Sequence, residues 1–124
     1  MIKWFNVKAK NGVATLYTNN ITLNTTAMYP FDIAHKVQVG LSEEGNIVIQ
    51  PLTKAVVEKG DLDESCLLKI ERHKSFARIS SVSLMKQISE SLNIELGKSP
   101  LQYETAWDSE QNILTILVIN GPKK

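Results

Sequence analysis

Apolar residues recur at a spacing of two along most of the chain. Val37 and Val39, Ile47 and Ile49, Leu68 and Ile70, and Leu101, Tyr103, Thr105 and Trp107 each alternate with polar neighbours, the signature of half-buried strands. The spacing changes only at Leu84, Met85, Ile88 and Leu92, which return at three- and four-residue steps behind Ser83, a good N-cap, and predict a helix over residues 84–93. Residues 113–119 are apolar on both faces, which predicts a central strand buried on both sides or at a subunit interface. Turn residues punctuate the pattern. Asn11-Gly12 suits a two-residue turn and predicts a hairpin of residues 2–9 with 13–17, leaving Trp4 and Phe5 on opposite faces as a lid over the core or a partner surface. Glu44-Gly45-Asn46 closes a second hairpin, which Pro51 ends. Residues 66–72 read as a strand turning through His73-Lys74-Ser75 into residues 76–80.

These elements predict a mostly β chain with one or two short helices, an α+β class. Asn24 caps a short helical turn that Pro30 cuts off, and residues 53–64 form a connection with one helical turn at 54–58, ended by Gly60. The order strand, polar or helical connection, strand, turn, strand occurs twice. Superposing Asn46-Ile47 on Asn112-Ile113 gives an offset of 66 and Ile21 on Ile79 an offset of 58, so the second copy is eight residues longer, and the excess falls in its helix. The chain divides into an N-terminal hairpin plus first repeat (1–52), a connection (53–64) and a second repeat (65–124), sharing one core in a single domain.

Composition changes this picture little. At 124 residues, with 43% hydrophobic and 22% charged residues, the chain has the profile of a folding globular protein. No run approaches the ~20 apolar residues that cross a bilayer, and the N-terminal lysines Lys3, Lys8 and Lys10 lack the apolar core of a signal peptide, which points to the cytoplasm. The single cysteine, Cys66, cannot form an internal disulfide; beside Leu67 and Leu68 it reads as a small buried side chain rather than a reactive thiol. Charge alternates along the chain, from +3 over residues 1–40 to −4 over 41–64, +3 over 65–98 and −1 over 99–124. Such alternation folds either into one basic and one acidic face or into a mixed solvated surface.

Catalytic chemistry finds no support. His35 and His73 lack a motif pairing them with Cys66 or a particular serine, and the glycines are scattered as turn residues without a phosphate loop. Asp61, Asp63 and Glu64 lack the spacing of a calcium loop, and Cys and His are too few for a structural zinc site. We expect no enzyme, metal or cofactor.

The stretches Ile21-Thr22-Leu23, Ala34-His35-Lys36-Val37-Gln38-Val39 and Glu44-Gly45-Asn46-Ile47-Val48-Ile49-Gln50-Pro51-Leu52 resemble the swapped-hairpin AbrB/MazE-like regulators. Arg78-Ile79, the helix to Leu92, Leu96-Gly97-Lys98, Tyr103, Asn112-Ile113 and Thr115 resemble them in the same way. Two copies in one chain are similar to the duplicated MraZ arrangement. The resemblance implies intertwined β-hairpins forming a pseudo-twofold swapped-hairpin-like β-barrel, dimers or higher homo-oligomers, and double-stranded DNA bound by arginines of the strand-and-loop surface. The first copy departs from the pattern, with Asn19-Asn20 where a Gly-Arg pair stands, Asn24 where a proline is usual, and no arginine; the Asp-x-x-x-Arg signature of MraZ is missing from both copies.

One cluster of cations suits phosphate contact: Lys69, Arg72, Lys74, Arg78 and Lys86, with His73 among them. We therefore expect a non-enzymatic, DNA-binding, transcription-regulator-like protein. The scarcity of arginine, the residue of bidentate base readout, supports the alternative of a protein-interaction or self-assembly module with the same fold and no DNA binding.

Overall fold

A computed structural model describes Ile2, residues 12–97 and residues 99–122. The expected first strand of the N-terminal hairpin, with Trp4 and Phe5, lies outside the described residues. The second strand forms as β1 (Val13–Leu16), followed by β2 (Asn20–Asn24), helix α1 (Thr25–Met28) and a 3-10 turn over Tyr29–Phe31. The hairpin β3 (Lys36–Leu41) and β4 (Ile47–Leu52) leads through helix α2 (Lys54–Glu58) and a 3-10 turn at Glu64–Cys66 to β5 (Glu71–Arg72). Then come β6 (Phe76–Ser80), helix α3 (Val82–Leu92), β7 (Leu101–Asp108) and β8 (Ile113–Ile116).

All eight strands pair antiparallel in one curled sheet, a half-barrel of order β3-β4-β8-β7-β1-β2-β6-β5. Its two ends meet at a single point, where Val37 and Leu68 exchange backbone hydrogen bonds of 2.9 and 2.8 Å. Chain order and sheet order differ: β1 pairs with β7, β2 with β6 and β4 with β8, so the first and second portions of the sequence are interleaved. Inside the curl lie Leu16, Ile21, Leu23, Phe31, Val37, Ile47, Ile49, Ile79, Met85, Tyr103, Leu114 and Ile116, all buried. Fully burying such side chains contributes about 1.5–3 kcal/mol each, an upper estimate for a partly compact unfolded chain, which makes this interior the main source of stability.

Local chemistry explains where elements start and stop. The Asn24 side-chain oxygen accepts from Ala27 N–H and from Val13 N–H, capping α1 and tying it to the start of β1. Pro51 is tolerated inside β4 because its neighbour β8 pairs only with Ile47, Val48 and Ile49; past that ladder the Asn112 amide donates to the Pro51 carbonyl. The cap of α3 is Ser81, not Ser83 as the sequence pattern predicts. Ser81 directly follows β6 in an extended conformation and its hydroxyl accepts from Leu84 N–H, while Ser83, inside the first turn, accepts from the Gln87 amide instead. The strand expected over residues 66–72 shrinks to Glu71–Arg72, because Asp63 accepts from both the amide and the hydroxyl of Ser65 and nucleates the 3-10 turn. Cys66, on that turn, is exposed rather than buried. The last strand is assigned to Ile116; the Leu117 N–H adds one more bond in the same register, to the Glu104 carbonyl, before the chain enters a 3-10 turn at Val118–Asn120.

Tyr103 sits in the core with its phenol pushed above its usual value of 10.0 by burial. The folded state therefore keeps that proton to higher pH than the unfolded chain. This stabilisation is complete below pH 10.0 and is lost as pH rises through the folded value. Tyr103→Phe should flatten the fall in unfolding free energy above pH 10.0 measured by urea titration; an identical pH profile for both proteins would contradict the assignment.

Candidate functional site: the β5–β6 cations and the braced connection

The five cations singled out by sequence do not form one surface. Lys69 and Lys74 are exposed on the hairpin of β5 and β6. Lys69 is outward because its neighbours Leu68 and Ile70 pack against the core. Lys86 lies away from them on α3, beside Thr18, Ser89, Glu90 and Leu96, at the end of the sheet marked by the β1–β2 turn. The β5–β6 turn is at the opposite end, where the Thr25 hydroxyl donates to the Ser75 carbonyl.

The two arginines are held by the protein itself. Arg78 stands opposite Glu71 across the β5–β6 ladder, and its guanidinium lies 5.0 Å from the centre of the Phe76 ring. The His73 imidazole stacks on the same ring, 4.4 Å between centroids, with its Nε2 3.7 Å from a Glu71 carboxylate oxygen. Phe76 is thus contacted by a guanidinium and an imidazole, with the Glu71 carboxylate beside the imidazole. The Nε of Arg78 is buried with no hydrogen-bond partner among the described residues, so the group reaches outward only through its terminal nitrogens.

Arg72, on β5, turns to the backbone of another segment, while Lys74 lies past the strand in the β5–β6 turn. The Arg72 Nη1 donates to the Phe31 carbonyl at 3.1 Å and to the Ala34 carbonyl in a shorter bond. Those carbonyls belong to the connection between α1 and β3. Ala34 N–H bonds back to Phe31, Asp32 N–H to Tyr29, and His35 N–H to Leu52, so this connection is pinned along its length. Phe31 is fully buried, its ring 6.2 Å from that of Trp107 between centroids in an edge-to-face arrangement.

The helical spacing of this connection sorts its apolar residues into two sets. Ala27, Met28, Phe31 and Ala34 face inward and are buried. Tyr29 and Ile33, four residues apart on the other side, are 77% and 76% exposed. Sequence reasoning passed over this pair, although the signal was present: a helical turn that buries Met28 and Phe31 cannot also bury Tyr29 and Ile33.

Among the described residues no group of three or more His, Cys, Asp or Glu side chains is placed to hold a metal ion, and no helix is long and apolar enough to cross a membrane. Comparison of the chain with protein-family models, with curated proteins and with solved structures finds no match.

Proposed function

We propose that the chain is a non-enzymatic protein-interaction module that binds an apolar patch of another protein through Tyr29 and Ile33. One observation carries this reading: Arg72, the residue best suited to a phosphate, is bonded to the backbone that displays those two side chains. Large apolar side chains exposed on a stiffened segment bury area on binding without a large ordering cost, the property of an interface anchor.

We also propose that the architecture is a duplicated swapped hairpin. Exchanging β1 with β5, β2 with β6, β3 with β7 and β4 with β8 leaves every neighbour in the sheet unchanged, once the Val37–Leu68 bridge counts as the contact between β3 and the strand of β5. The dyad then passes near the Thr22–Arg78 and Val48–Thr115 pairs. In this arrangement Asn20–Asn24 corresponds to Phe76–Ser80. Ile47 corresponds to Leu114 rather than Ile113, because those two are the inward residues.

The experiment is a differential capture from the native host's lysate with the wild type and a Tyr29→Ser/Ile33→Ser variant. We expect proteins retained by the wild type and lost by the variant. Equal capture by both would remove the surface assignment. A second reading, weak DNA contact by the outward Lys69 and Lys74, is favoured by their exposure on one hairpin. Fluorescence anisotropy on duplex DNA decides it: binding that weakens with salt and with Lys69→Gln/Lys74→Gln supports contact, and absence of binding at about 50 mM salt excludes it.

A further inference from the structure

Among the described residues, none pairs with the edge of β3 beyond Val37. Val37 sends its N–H and C=O to Leu68, away from β4, so it forms a non-hydrogen-bonded pair with Pro51. Antiparallel pairs alternate, which makes Val39 with Ile49 and Leu41 with Ile47 non-hydrogen-bonded pairs as well. The backbone groups of Val39 and Leu41 therefore also point away from β4. Among the described residues Leu68 is the last to hydrogen-bond to this edge: the preceding chain turns off into the 3-10 turn at Glu64–Cys66, where Cys66 still lies beside Gln38, Val39 and Gly40. On the other side of the sheet, by contrast, β1 lies along β7 from Val13 to Leu16.

Gly40 sits at the middle of the open stretch, and nothing among the described residues requires a glycine there. Its φ is ordinary, and a Cβ there would meet only a Val48 methyl at 3.7 Å, normal van der Waals contact. A glycine inside a strand weakens it and marks a bulge or the close approach of another backbone. The β3–β4 register runs through Gly40 without a bulge, opposite Val48, which leaves close approach.

We infer that two copies of the chain join edge to edge along β3, antiparallel, about a twofold axis through Gly40. The stretch Val39-Gly40-Leu41 reads apolar, glycine, apolar in both directions, so it complements itself. Val39 of each copy exchanges its N–H and C=O bonds with Leu41 of the other, and the two glycines face each other where Cα atoms come closest, about 4.5 Å apart. Beside this edge is a cavity of about 150 Å³ lined by Val39, Leu41, Leu84, Gln87 and Ile88, open to receive the incoming apolar side chains. This surface is separate from Tyr29 and Ile33, and the dimer stands or falls independently of that assignment.

Sedimentation velocity of the full chain over a concentration series tests the inference, with Leu41→Pro and Leu41→Lys alongside. Proline removes a donor that bonds to nothing within the chain, and lysine is a residue that blocks edge pairing. The wild type should pass from monomer to dimer mass as concentration rises. Both variants should stay monomeric at concentrations where the wild type is mostly dimer, with unchanged circular dichroism. In the wild type alone, the Val39 and Leu41 amides should exchange at least tenfold more slowly in the dimer than in dilute solution. A wild type that is monomeric throughout, a dimer that both variants retain, or a dimer whose Val39 and Leu41 amides exchange as fast as the monomer's would overturn it.

Discussion

Replacing Arg72 with methionine should destabilise the protein by about 2 kcal/mol in chemical denaturation. The aliphatic stem is kept, so the loss comes from the guanidinium, and hydrogen bonds to a charged group contribute roughly 1.5–3 kcal/mol. The Ala34 carbonyl would lose its Arg72 donor, and the Phe31 carbonyl would keep only the Ala34 N–H. Arg72 and Lys74 are both exposed, but Lys74 has no hydrogen-bond or ion-pair partner among the described residues, so the same change there should stay within about 0.5 kcal/mol. If Arg72→Met unfolds at the wild-type denaturant concentration, Arg72 is not a brace. Amide exchange should accelerate in the Arg72→Met variant over residues 29–35 before it does so in β7 and β8.

Cutting the chain between Gly60 and Asp61 should abolish folding of either piece and restore it on mixing. The first fragment holds β1 to β4, but β1 needs β7, β2 needs β6 and β4 needs β8, all on the second fragment. Alone, each is left with isolated hairpins, which are marginal in water. Circular dichroism of each fragment should lack a cooperative thermal transition, and an equimolar mixture should recover one. A first fragment that melts cooperatively by itself would show that the interleaving is dispensable.

Much of the strand content was legible because period-two patterning survives wherever one face is buried: Val37 and Val39, Ile47 and Ile49, and Tyr103 with Thr105 all fall in strands. The predicted helix appears at Val82–Leu92, beginning earlier because Ser81, directly after β6, is the cap. The alternation of Leu68 and Ile70 overstated the length of β5. A strand pattern records which face is buried, while the Asp63–Ser65 turn records where the chain departs from the ladder.

The candidate site was less legible for a related reason. Charge counts place cations along the sequence, and only the fold determines what each cation meets. Arg72 lay among Lys69, Lys74 and Arg78 in sequence, yet its nearest acceptors, the carbonyls of Phe31 and Ala34, are about forty residues away. Nothing in the spacing of basic residues encodes a partner that remote. The exposed pair Tyr29 and Ile33 was hidden by the opposite habit, reading every large apolar residue as core.

Photo-crosslinking from position 29 tests the contact surface most directly. A photoreactive phenylalanine analogue replaces Tyr29 in one protein and Lys54, exposed on α2, in another. Irradiation in the native cell should give a discrete protein adduct from position 29 and none from position 54. A nucleic-acid adduct at position 29, or the same pattern from both positions, would contradict an apolar protein contact held in place by Arg72.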